Sequence, residues 1–570
     1  MVSNNSTQHD FTNSLTYNSS IIKELLSGSA DFIERKVTFL EKKNVHATCF
    51  YIDGLVNTQI IEKIVQALMF EGNEVILRND LDTFNIESLL EEHVLMNTNF
   101  IETTELESAI KAILSGDTVL LVDGCKKAFQ IPTKGWAARS VSEPQAEQVV
   151  RGPRDGFTET IRVNTALVRR RIRDTGFRIE ELNIGKRTKT DINIAYINGV
   201  VKKGLVDEVK ERLEKIDIDG ILESGYIEEM IRDAPLSPFT TIMSTERPDK
   251  VASSLLEGRV AIFVDNTPFV LIVPTYFWEF LQASDDYYLG FMAGSFFRIV
   301  RYTAFILSLT LTSIYIMLVS FHQEMIPTPL ALTIASGREV VPFPVLLEAL
   351  LMELTFELMR EAGLRMPKPV GSAVSIVGSL VIGQAAVQAG IVSPFMVIIV
   401  ATTGISSFVI PNYSASYSIR LVRFPLLLAS GTLGLLGFAS MFALIAIHAL
   451  SLRSFGESYL SPATPFQPQD QKDTVIRMPW WAMKKRPSIA DGDTSRLGEA
   501  RSPQPPKGKE EEDSQSKKDE ASDRNEPESI GQTETREGSS KQKAQKQDNV
   551  TGVRQLKTRK AKKGKGDDKE

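Results

Sequence analysis

The sequence has little cysteine, and over one long stretch it has no charge at all. Its 570 residues include only two cysteines, Cys49 and Cys125. Two are too few for a disulfide framework and indicate a reducing compartment. The first twenty residues are polar, without a basic region followed by an apolar run, so no cleavable signal peptide is predicted. We therefore expect a large N-terminal domain that stays in the cytoplasm.

The motifs of the common enzyme classes are missing as well. The chain has no HExxH, GxSxG, P-loop or GxGxxG spacing, and its five histidines are scattered along the sequence. These patterns mark metal, nucleophile and nucleotide sites. We predict that the protein is not an enzyme and that it holds no metal and no cofactor. No nucleic-acid partner is expected either.

Charged side chains are absent from the whole stretch between Val370 and Ile419. A break near Pro394 divides it into halves about as long as the ~20 apolar residues that cross ~30 Å of hydrocarbon. A buried pair of core helices is the weaker interpretation, because a domain core keeps a polar outer face. The first half also has small residues four positions apart, a spacing that lets another helix approach closely. These helix-packing candidates are Gly371, Ser375, Ser379 and Gly383. The sequence therefore predicts a membrane protein.

The chain divides into regions of unlike composition, so its net charge of −6 says little about its partners. We predict a duplicated α/β soluble N-terminal domain, an α-helical multi-pass membrane domain and a disordered, charged C-terminal tail. The predicted boundaries are 1–29 for a flexible N-terminus, 30–142 and 191–290 for two α/β subdomains, 143–190 for a connector, 291–462 for the membrane domain and 463–570 for the tail.

The duplication is predicted from two blocks that recur about 145 residues later. FYIDGLVNTQIIEKIVQAL, from Phe50, matches AYINGVVKKGLVDEVKERL, from Ala195. ILSGDTVLLVDGCKKAFQIP, from Ile113, matches LLEGRVAIFVDNTPFVLIVP, from Leu255. Self-similarity at one offset indicates two related units. Acids such as Asp123 fall at equivalent turns, where turn chemistry is favoured over metal or ligand binding.

The connector carries EPQAEQVVRGPRDGFTET, followed by NTALVRRRI. Arginines on a tight loop could grip phosphate or carboxylate, or they could pair with acids across a subunit contact. Because no nucleotide-binding spacing accompanies them, we favour the structural and interface role. Asn164 is predicted to cap the helix that carries Arg169. The candidate residues are Arg151, Gly152, Pro153, Arg154, Asp155, Asn164 and Arg169.

Membrane spans are predicted near 302–321, 345–363, 370–390, 391–410 and 424–447. Within the second, Glu353, Glu357 and Glu361 share a narrow helical face, and Glu348 points elsewhere. Carboxylates at membrane depth tend to face a water-filled cavity or a partner. A cation pathway lined by these acids and an amphipathic helix that pairs them with Arg360 and Arg365 are equally good interpretations.

The distribution of basic residues does not fix the number of crossings. Five crossings place the tail outside, against the cluster Lys484, Lys485 and Arg486. Four crossings place the tail inside but leave the other basic clusters outside. Trp480 and Trp481, beside that cluster, fit a contact with anionic lipid at the membrane interface, with a short exposed linker as the equal alternative.

Several of these motifs resemble the A subunit of the GerA-type spore germination receptor family. The connector sequence is the first motif that carries the resemblance, which as a whole covers roughly residues 30–462. It continues in HQEMIPTPLALTIA, VPFPVLLEALLMELTFELMREAGLRMPKP, IVGSLVIGQAAVQAGIVSP and FVIPNYSASYSIRLVRF. One departure is Ser458, where the family usually has proline.

The resemblance implies a receptor subunit in the inner membrane of a dormant spore. It implies work with the B and C subunits of the germinant receptor and with further copies of the chain as a homo-oligomer. In that family nutrient recognition is attributed mainly to the B subunit, so this chain is expected to transmit the signal and open for ions such as potassium. The resemblance also favours the cation pathway over the amphipathic helix as the interpretation of the acids in the second span. A membrane transporter or a non-conducting scaffold subunit is the alternative, although the spans are too few for the usual inverted repeats.

Overall fold

The computed structural model describes residues 10–39, 45–78, 100–135, 142–365, 383–492 and 494–496. Of the span predicted near 370–390, only the part from Gly383 onward is described. Gly371, Ser375 and Ser379 lie outside the described residues, and so does the chain beyond residue 496. Gly383 is helical and lies beside Val397, whose side chain would be 3.6 Å from a Cβ at this glycine.

The first α/β unit has a five-stranded antiparallel sheet in the order β1-β2-β4-β5-β3. Alternating side chains of the strands bury two faces. One face packs on α2, and the other packs on α1 and α3. Burial on the α2 face raises the pKa of the Cys49 thiol to about 12, although Arg35 acts in the opposite direction. The elements are α1 (Leu15–Leu26), β1 (Phe32–Phe39), β2 (Val45–Ile52), α2 (Thr58–Arg78), β3 (Ile101–Thr103), α3 (Leu106–Leu114), β4 (Thr118–Val122) and β5 (Ala128–Ile131).

The second unit repeats this arrangement, with strand order β6-β7-β9-β10-β8. Its core on one face is continuous with side chains of the helical region that follows, including Ile419 and Leu426. The elements are α4 (Ile161–Arg169), β6 (Phe177–Ile184), β7 (Thr190–Ile197), α5 (Leu205–Glu214), α6 (Ser224–Ile231), β8 (Met243–Thr245), α7 (Pro248–Leu256), β9 (Val260–Val264) and β10 (Val270–Val273).

The structural repeat starts earlier than the predicted boundaries 30 and 191. Asn18 bonds back to the backbone of Thr12, with its amide 2.6 Å from the carbonyl oxygen, and Asn164 does the same to Thr158, also at 2.6 Å. Asn164 therefore lies inside α4 and does not cap it; the N-cap is Thr160. The turn acid Asp265 accepts from the first backbone N–H of α4 at 3.0 Å. Residues 15–26, predicted as part of a flexible N-terminus, instead form a packed helix.

A helical region follows, which begins with α8 (Asp285–Tyr288) and α9 (Phe291–Phe321) and continues with α10 (Thr328–Arg338), α11 (Val345–Arg365), α12 (Pro394–Phe408) and α13 (Tyr413–Ser451). Within the described residues, α9 and α13 are long and apolar enough to cross a membrane. Such length and composition fit a membrane domain. α12 is apolar but has only 15 residues, and α11 carries several charges.

α13 is a hairpin of two helical arms rather than one straight span near 424–447. Gly434 has φ 62° and ψ −135°, which is not helical. Ser418 and His448 would lie about 45 Å apart in a straight helix. Both contact one short loop, through Thr240 and Ser237, whose backbones can be separated by only about 10 Å. The chain therefore reverses at Gly434, between arm one (413–433) and arm two (435–451).

Residues 452–496, which we call the C-terminal strap, return to the second α/β unit. The backbone N–H of Tyr459 donates to the carbonyl oxygen of Leu452 at 3.1 Å. The backbone N–H of Phe277 donates to the carbonyl oxygen of Tyr459 at 2.9 Å. Arg477 is buried and donates to Asp286 O at 2.7 Å. Residues 463–492, predicted to belong to a disordered tail, are therefore packed against the α/β domain because aromatic and arginine side chains anchor them.

Candidate functional site

Acidic and basic side chains meet where α11 packs against arm one of α13. Arg423 Nη2 lies 2.9 Å from Glu353 Oε2 and 3.1 Å from Glu357 Oε1. Arg420 holds Glu357 with two of its nitrogens, one of them Nε at 3.1 Å. Arg360 lies 3.8 Å from Glu357. We call these five residues, Glu353, Glu357, Arg360, Arg420 and Arg423, the charge cluster.

The local sequence explains why these side chains face one another. Glu353 and Glu357 are four residues apart on α11, and Arg420 and Arg423 are three apart on arm one, so each pair shares a helix face. Asn412 begins arm one by accepting from Ala415 Nα at 3.0 Å. The small-residue face of α12 lets it pack close by, and Arg360 donates to Ser407 Oγ at 2.6 Å.

Polar side chains from two further helices complete the deep end of the cluster. Thr312 of α9 donates to Glu353 Oε1 at 2.9 Å and lies 3.0 Å from Thr403 Oγ1 of α12. Glu353 and Arg423 are each about 1% exposed. Four helices thus contribute to one buried polar site in an otherwise apolar bundle.

The third predicted acid, Glu361, is not part of this site. It pairs with Arg365 at 2.6 Å on the exposed side of α11. Glu348 is fully buried, and it lies on a different face of α11 from Glu353 and Glu357, as the helical pattern indicated. It accepts from Ser393 Nα at 2.6 Å and lies 3.7 Å from Arg338. Glu348 is buried because α12 packs on this second face of α11 and begins at its N-cap residue, Ser393.

The carboxylates of the charge cluster are neutralised, but the cluster is incompletely bonded. Two carboxylates face three guanidinium groups, so within one chain the acids have no negative charge left over for a free cation. Burying an ion costs several kcal/mol unless it is paired. The 2.9 Å contact between Glu353 Oε2 and Arg423 lacks hydrogen-bond alignment, and Arg423 Nε and Nη1 have no hydrogen-bond partner in the described part of the chain. The site therefore retains hydrogen-bonding capacity that another arrangement of the same groups could use.

The loop 233–241 connects the α/β domain to both arms of α13. Ser237 Oγ lies 2.8 Å from His448 Nε2 on arm two, and Thr240 Oγ1 lies 3.3 Å from Ser418 Oγ on arm one. Ser418 is two residues before Arg420. The loop and the charge cluster are therefore attached to the same rigid segment of helix.

The connector residues make structural contacts, one of them between the two α/β units and the others within the connector and to the second unit. Arg169 is buried and forms two bonds to Asp31, at 2.9 and 2.7 Å, which join the units. Asp155 accepts from Arg171 at 2.6 Å, and Pro153 O accepts from Arg247 at 3.0 Å.

At the turn itself, Gly152 has φ 145°, and a Cβ there would lie 2.7 Å from the ring of Tyr288. Only glycine fits such a conformation and such a close approach. The Arg151 and Arg154 side chains are exposed, the latter 3.9 Å from Glu143. These two arginines remain accessible for a contact with another molecule.

No group of three or more His, Cys, Asp or Glu side chains suited to a metal ion occurs among the described residues. A cavity of about 510 Å³ lies between the second α/β unit and the C-terminal strap. Its wall includes Glu257, whose pKa is raised by burial, against the opposite effect of Arg259 and Arg496.

Comparison with known proteins identifies the family. Residues 20–489 match the model of the Bacillus/Clostridium GerA spore germination protein family. The chain belongs to the GerA family. Spore germination protein KA of Bacillus subtilis (strain 168) is 44% identical over 494 residues, or 86% of this chain and 90% of that protein. Spore germination protein B1 of the same organism is 41% identical over 480 residues, or 84% and 97%.

A solved structure is also similar to part of the chain. It is the N-terminal domain of the A subunit of the Bacillus megaterium spore germinant receptor GerK3. That domain is 37% identical and covers 48% of this chain and 98% of its own, with a TM-score of 0.38.

The extent of the family match agrees with the limits of the packed structure. It begins inside α1 and ends inside the C-terminal strap, at residue 489. Both segments lie beyond the residues 30–462 on which the resemblance was based. The signals that could have revealed them are the TxxxxxN spacing at Thr12 and Thr158 and the strap's aromatic and arginine residues.

Proposed function

We propose that the chain is the A-type subunit of a nutrient germinant receptor, a multi-pass protein of the spore inner membrane with its α/β domain in the cytoplasm. Family membership and the names of its relatives, which are spore germination proteins, support this function. The two long apolar helices support the membrane location. Its proposed partners are the B and C subunits, further copies of itself and membrane lipid.

The proposed topology has six crossings: α9, α11, the segment near 370–390, α12 and the two arms of α13. The hairpin at Gly434 supports an even number, because arm one starts and arm two ends at the α/β domain. The strap is then cytoplasmic together with its bases. Arg360, Arg365 and Arg420 also fall toward the cytoplasmic side, in agreement with the positive-inside rule.

The single observation that carries the signalling role is the contact of one loop with both arms of α13. Ser237 and Thr240 touch arms two and one, and arm one carries Arg420 and Arg423 of the charge cluster. A movement of the α/β domain, driven by partner subunits that bind the nutrient, would displace arm one. The ion pairs to Glu353 and Glu357 would then rearrange. The domain and the bundle are thus coupled through a contiguous set of contacts.

Ion release is proposed as the output. Glu353, Glu357 and Glu361 remain the candidate pathway residues, with the first two masked by arginine in the resting single chain. Transfer of an arginine to another partner would free a carboxylate for a passing cation. An oligomer would enclose the path, and the exposed Arg151 and Arg154 are candidates for the contact between subunits. The second candidate is a non-conducting scaffold, which the full neutralisation of Glu353 and Glu357 favours.

Potassium release from spores tests this function. Spores whose only germinant receptor contains this chain are exposed to a nutrient mixture, and potassium in the medium is followed with an ion electrode. We expect release to be lost without the chain and slowed by Glu357→Gln, with unchanged receptor level in the membrane and unchanged co-purification of partners. The matched control is Glu339→Gln, an exposed acid beyond α10.

Two results would contradict the proposal. Normal release without the chain rules out the receptor role. Normal release with Glu357→Gln, combined with loss of release when the chain is removed, leaves a scaffold subunit and removes the cation pathway.

A further inference from the structure

The C-terminal strap runs along the first turns of α9, where the first proposed span begins. Ser295 donates to Arg477 O at 3.1 Å, and Tyr302 donates to Thr474 O at 3.1 Å. Between them, Arg298 donates to Asp473 O at 2.7 Å. Strap residues 473–477 therefore stay beside two turns of the helix that leads from the α/β domain into the bundle.

This part of the strap exposes large apolar side chains. Phe466 is 71% exposed and Ile476 is 54% exposed. Val475, Met478, Trp480 and Trp481 are exposed as well, and so are Met292, Phe296 and Phe297 on the adjacent turns of α9. Trp481 contacts the ring of Phe291 at 6.0 Å between centroids. An exposed apolar patch that adjoins a membrane helix marks a surface that is covered in the working protein.

Unpaired positive charge lies beside the apolar side chains. Lys472, Lys484 and Lys485 line the 510 Å³ cavity and form no ion pair with the residues that the structure describes. The acids of that cavity are already bonded. Glu279 pairs with Arg259, Asp473 with Arg298, Glu257 with Arg496 at 3.4 Å, and Asp470 accepts from Ser488. Ser488 does not neutralise Asp470, so three lysines and one carboxylate are left without an ion pair among the described residues, and the net charge at the rim is positive.

We propose that strap residues 466–485 bind the anionic lipid surface of the leaflet that faces the α/β domain. The apolar side chains enter the headgroup layer around α9, and the three lysines contact lipid phosphates. Tryptophan beside lysine is typical of membrane interfaces, and a lysine near an anionic surface gains from its negative potential. Continuity with α9 favours the bilayer over a protein partner, because the patch begins on the helix itself. The proposal uses the membrane crossing of α9 and is independent of the signalling role.

A spin label at the strap measures its depth directly. Ile476→Cys in the full-length protein is labelled with a nitroxide and reconstituted in nanodiscs of phosphatidylcholine with phosphatidylglycerol. The two native cysteines, Cys49 and Cys125, are both buried, so they do not compete for the label. We expect collisions with oxygen to rise and collisions with a water-soluble nickel complex to fall, relative to a control label at Ile101→Cys.

Ile101 is a matched control because it is also an isoleucine, 67% exposed, on the edge strand β3 of the first unit. A strap label as accessible to nickel as the control label would overturn the proposal. A label shielded from both nickel and oxygen would also overturn it, because protein would then cover the strap. Neither outcome bears on potassium release, so the two proposals fail separately.

The lysines are tested by the triple change Lys472→Gln, Lys484→Gln and Lys485→Gln in the labelled protein. With the natural lysines, we expect the label to lie deeper in nanodiscs with phosphatidylglycerol than in pure phosphatidylcholine. The triple variant should lose this difference and keep its depth in phosphatidylcholine. A difference that persists in the triple variant would overturn the assignment of the lysines to lipid phosphate.

Discussion

At the residue scale, the charge cluster is the feature that the sequence predicted only in part. The spacing of Glu353 and Glu357 indicated a shared face, and both acids contact Arg423, with Glu353 buried and Glu357 partly buried. The partners were not predictable, because Arg420 and Arg423 lie more than sixty residues away and meet the acids only through helix packing. The paired interpretation named Arg360 and Arg365; Arg360 does contact Glu357, whereas Arg365 pairs with the exposed Glu361.

Removing Arg423 should destabilise the protein more than removing Glu353. Arg423→Gln leaves Glu353 buried with only Thr312 as a hydrogen-bond partner, and breaking a buried ion pair costs about 3–5 kcal/mol. Glu353→Gln leaves Arg423 paired with Glu357 at 3.1 Å and should cost less. The measurement is the unfolding midpoint of each purified variant in detergent.

The double variant Arg423→Gln with Glu353→Gln should recover part of the loss, since no charge is then left unpaired at Glu353. Glu361→Gln serves as the exposed control and should change the midpoint little, because surface ion pairs contribute about 0–1 kcal/mol. If Arg423→Gln behaves like Glu361→Gln, the cluster is not a buried ion pair.

At the element scale, the hairpin in α13 was the main structural feature that the sequence did not predict. The sequence predicted one span near 424–447, and Gly434 lies inside it, where glycine is also compatible with close packing of helices. No charge or proline marks the reversal, and the apolar pattern continues through both arms. The backbone conformation of Gly434, with φ 62° and ψ −135°, shows that this glycine forms a turn and is not part of a continuous helix.

Gly434→Ala should therefore destabilise the helical bundle. A side chain is strained in that conformation by about 1–3 kcal/mol. Its Cβ would also lie 2.9 Å from the Phe321 ring. The unfolding midpoint in detergent and protease cleavage near the turn measure the effect.

Gly363→Ala is the matched control, because Gly363 lies in α11 and, in the described part of the chain, no side chain or neighbouring element comes within 4 Å of the position of its Cβ. Alanine in a helix is favoured over glycine by roughly 0.5–1 kcal/mol, so the control should be neutral or slightly stabilising. Equal midpoints for the two variants would mean that the chain does not reverse at Gly434.

At the scale of the whole molecule, the internal repeat predicted more of the fold than any single motif did. The two matching blocks contain strands that occupy equivalent places in two sheets of the same order. The outer limits of each unit were less predictable, since the segments that lead into α1 and α4 share only the short patterns FTxSxxxN, from Phe11, and FTxTxxxN, from Phe157. Most of the strap was predicted to belong to the disordered tail, because its composition is mainly polar and only a few side chains anchor it.

The predicted acids and connector residues remain hypotheses about function. Asp31 and Arg169 show one form that a structural role can take: an arginine of the connector joins two units of one chain. Arg151 and Arg154 differ from Arg169 only in exposure, which depends on the folded surroundings.

The measurement that tests the central claim most directly is potassium flux from liposomes that contain the purified receptor with its partner subunits. The natural chain is compared with Glu353→Gln and with the exposed control Glu339→Gln. We predict nutrient-dependent flux that Glu353→Gln alters and Glu339→Gln does not, at equal amounts of assembled receptor. Flux that is identical in all three proteins would contradict a pathway through the charge cluster, and an assembled receptor that never conducts would contradict the channel.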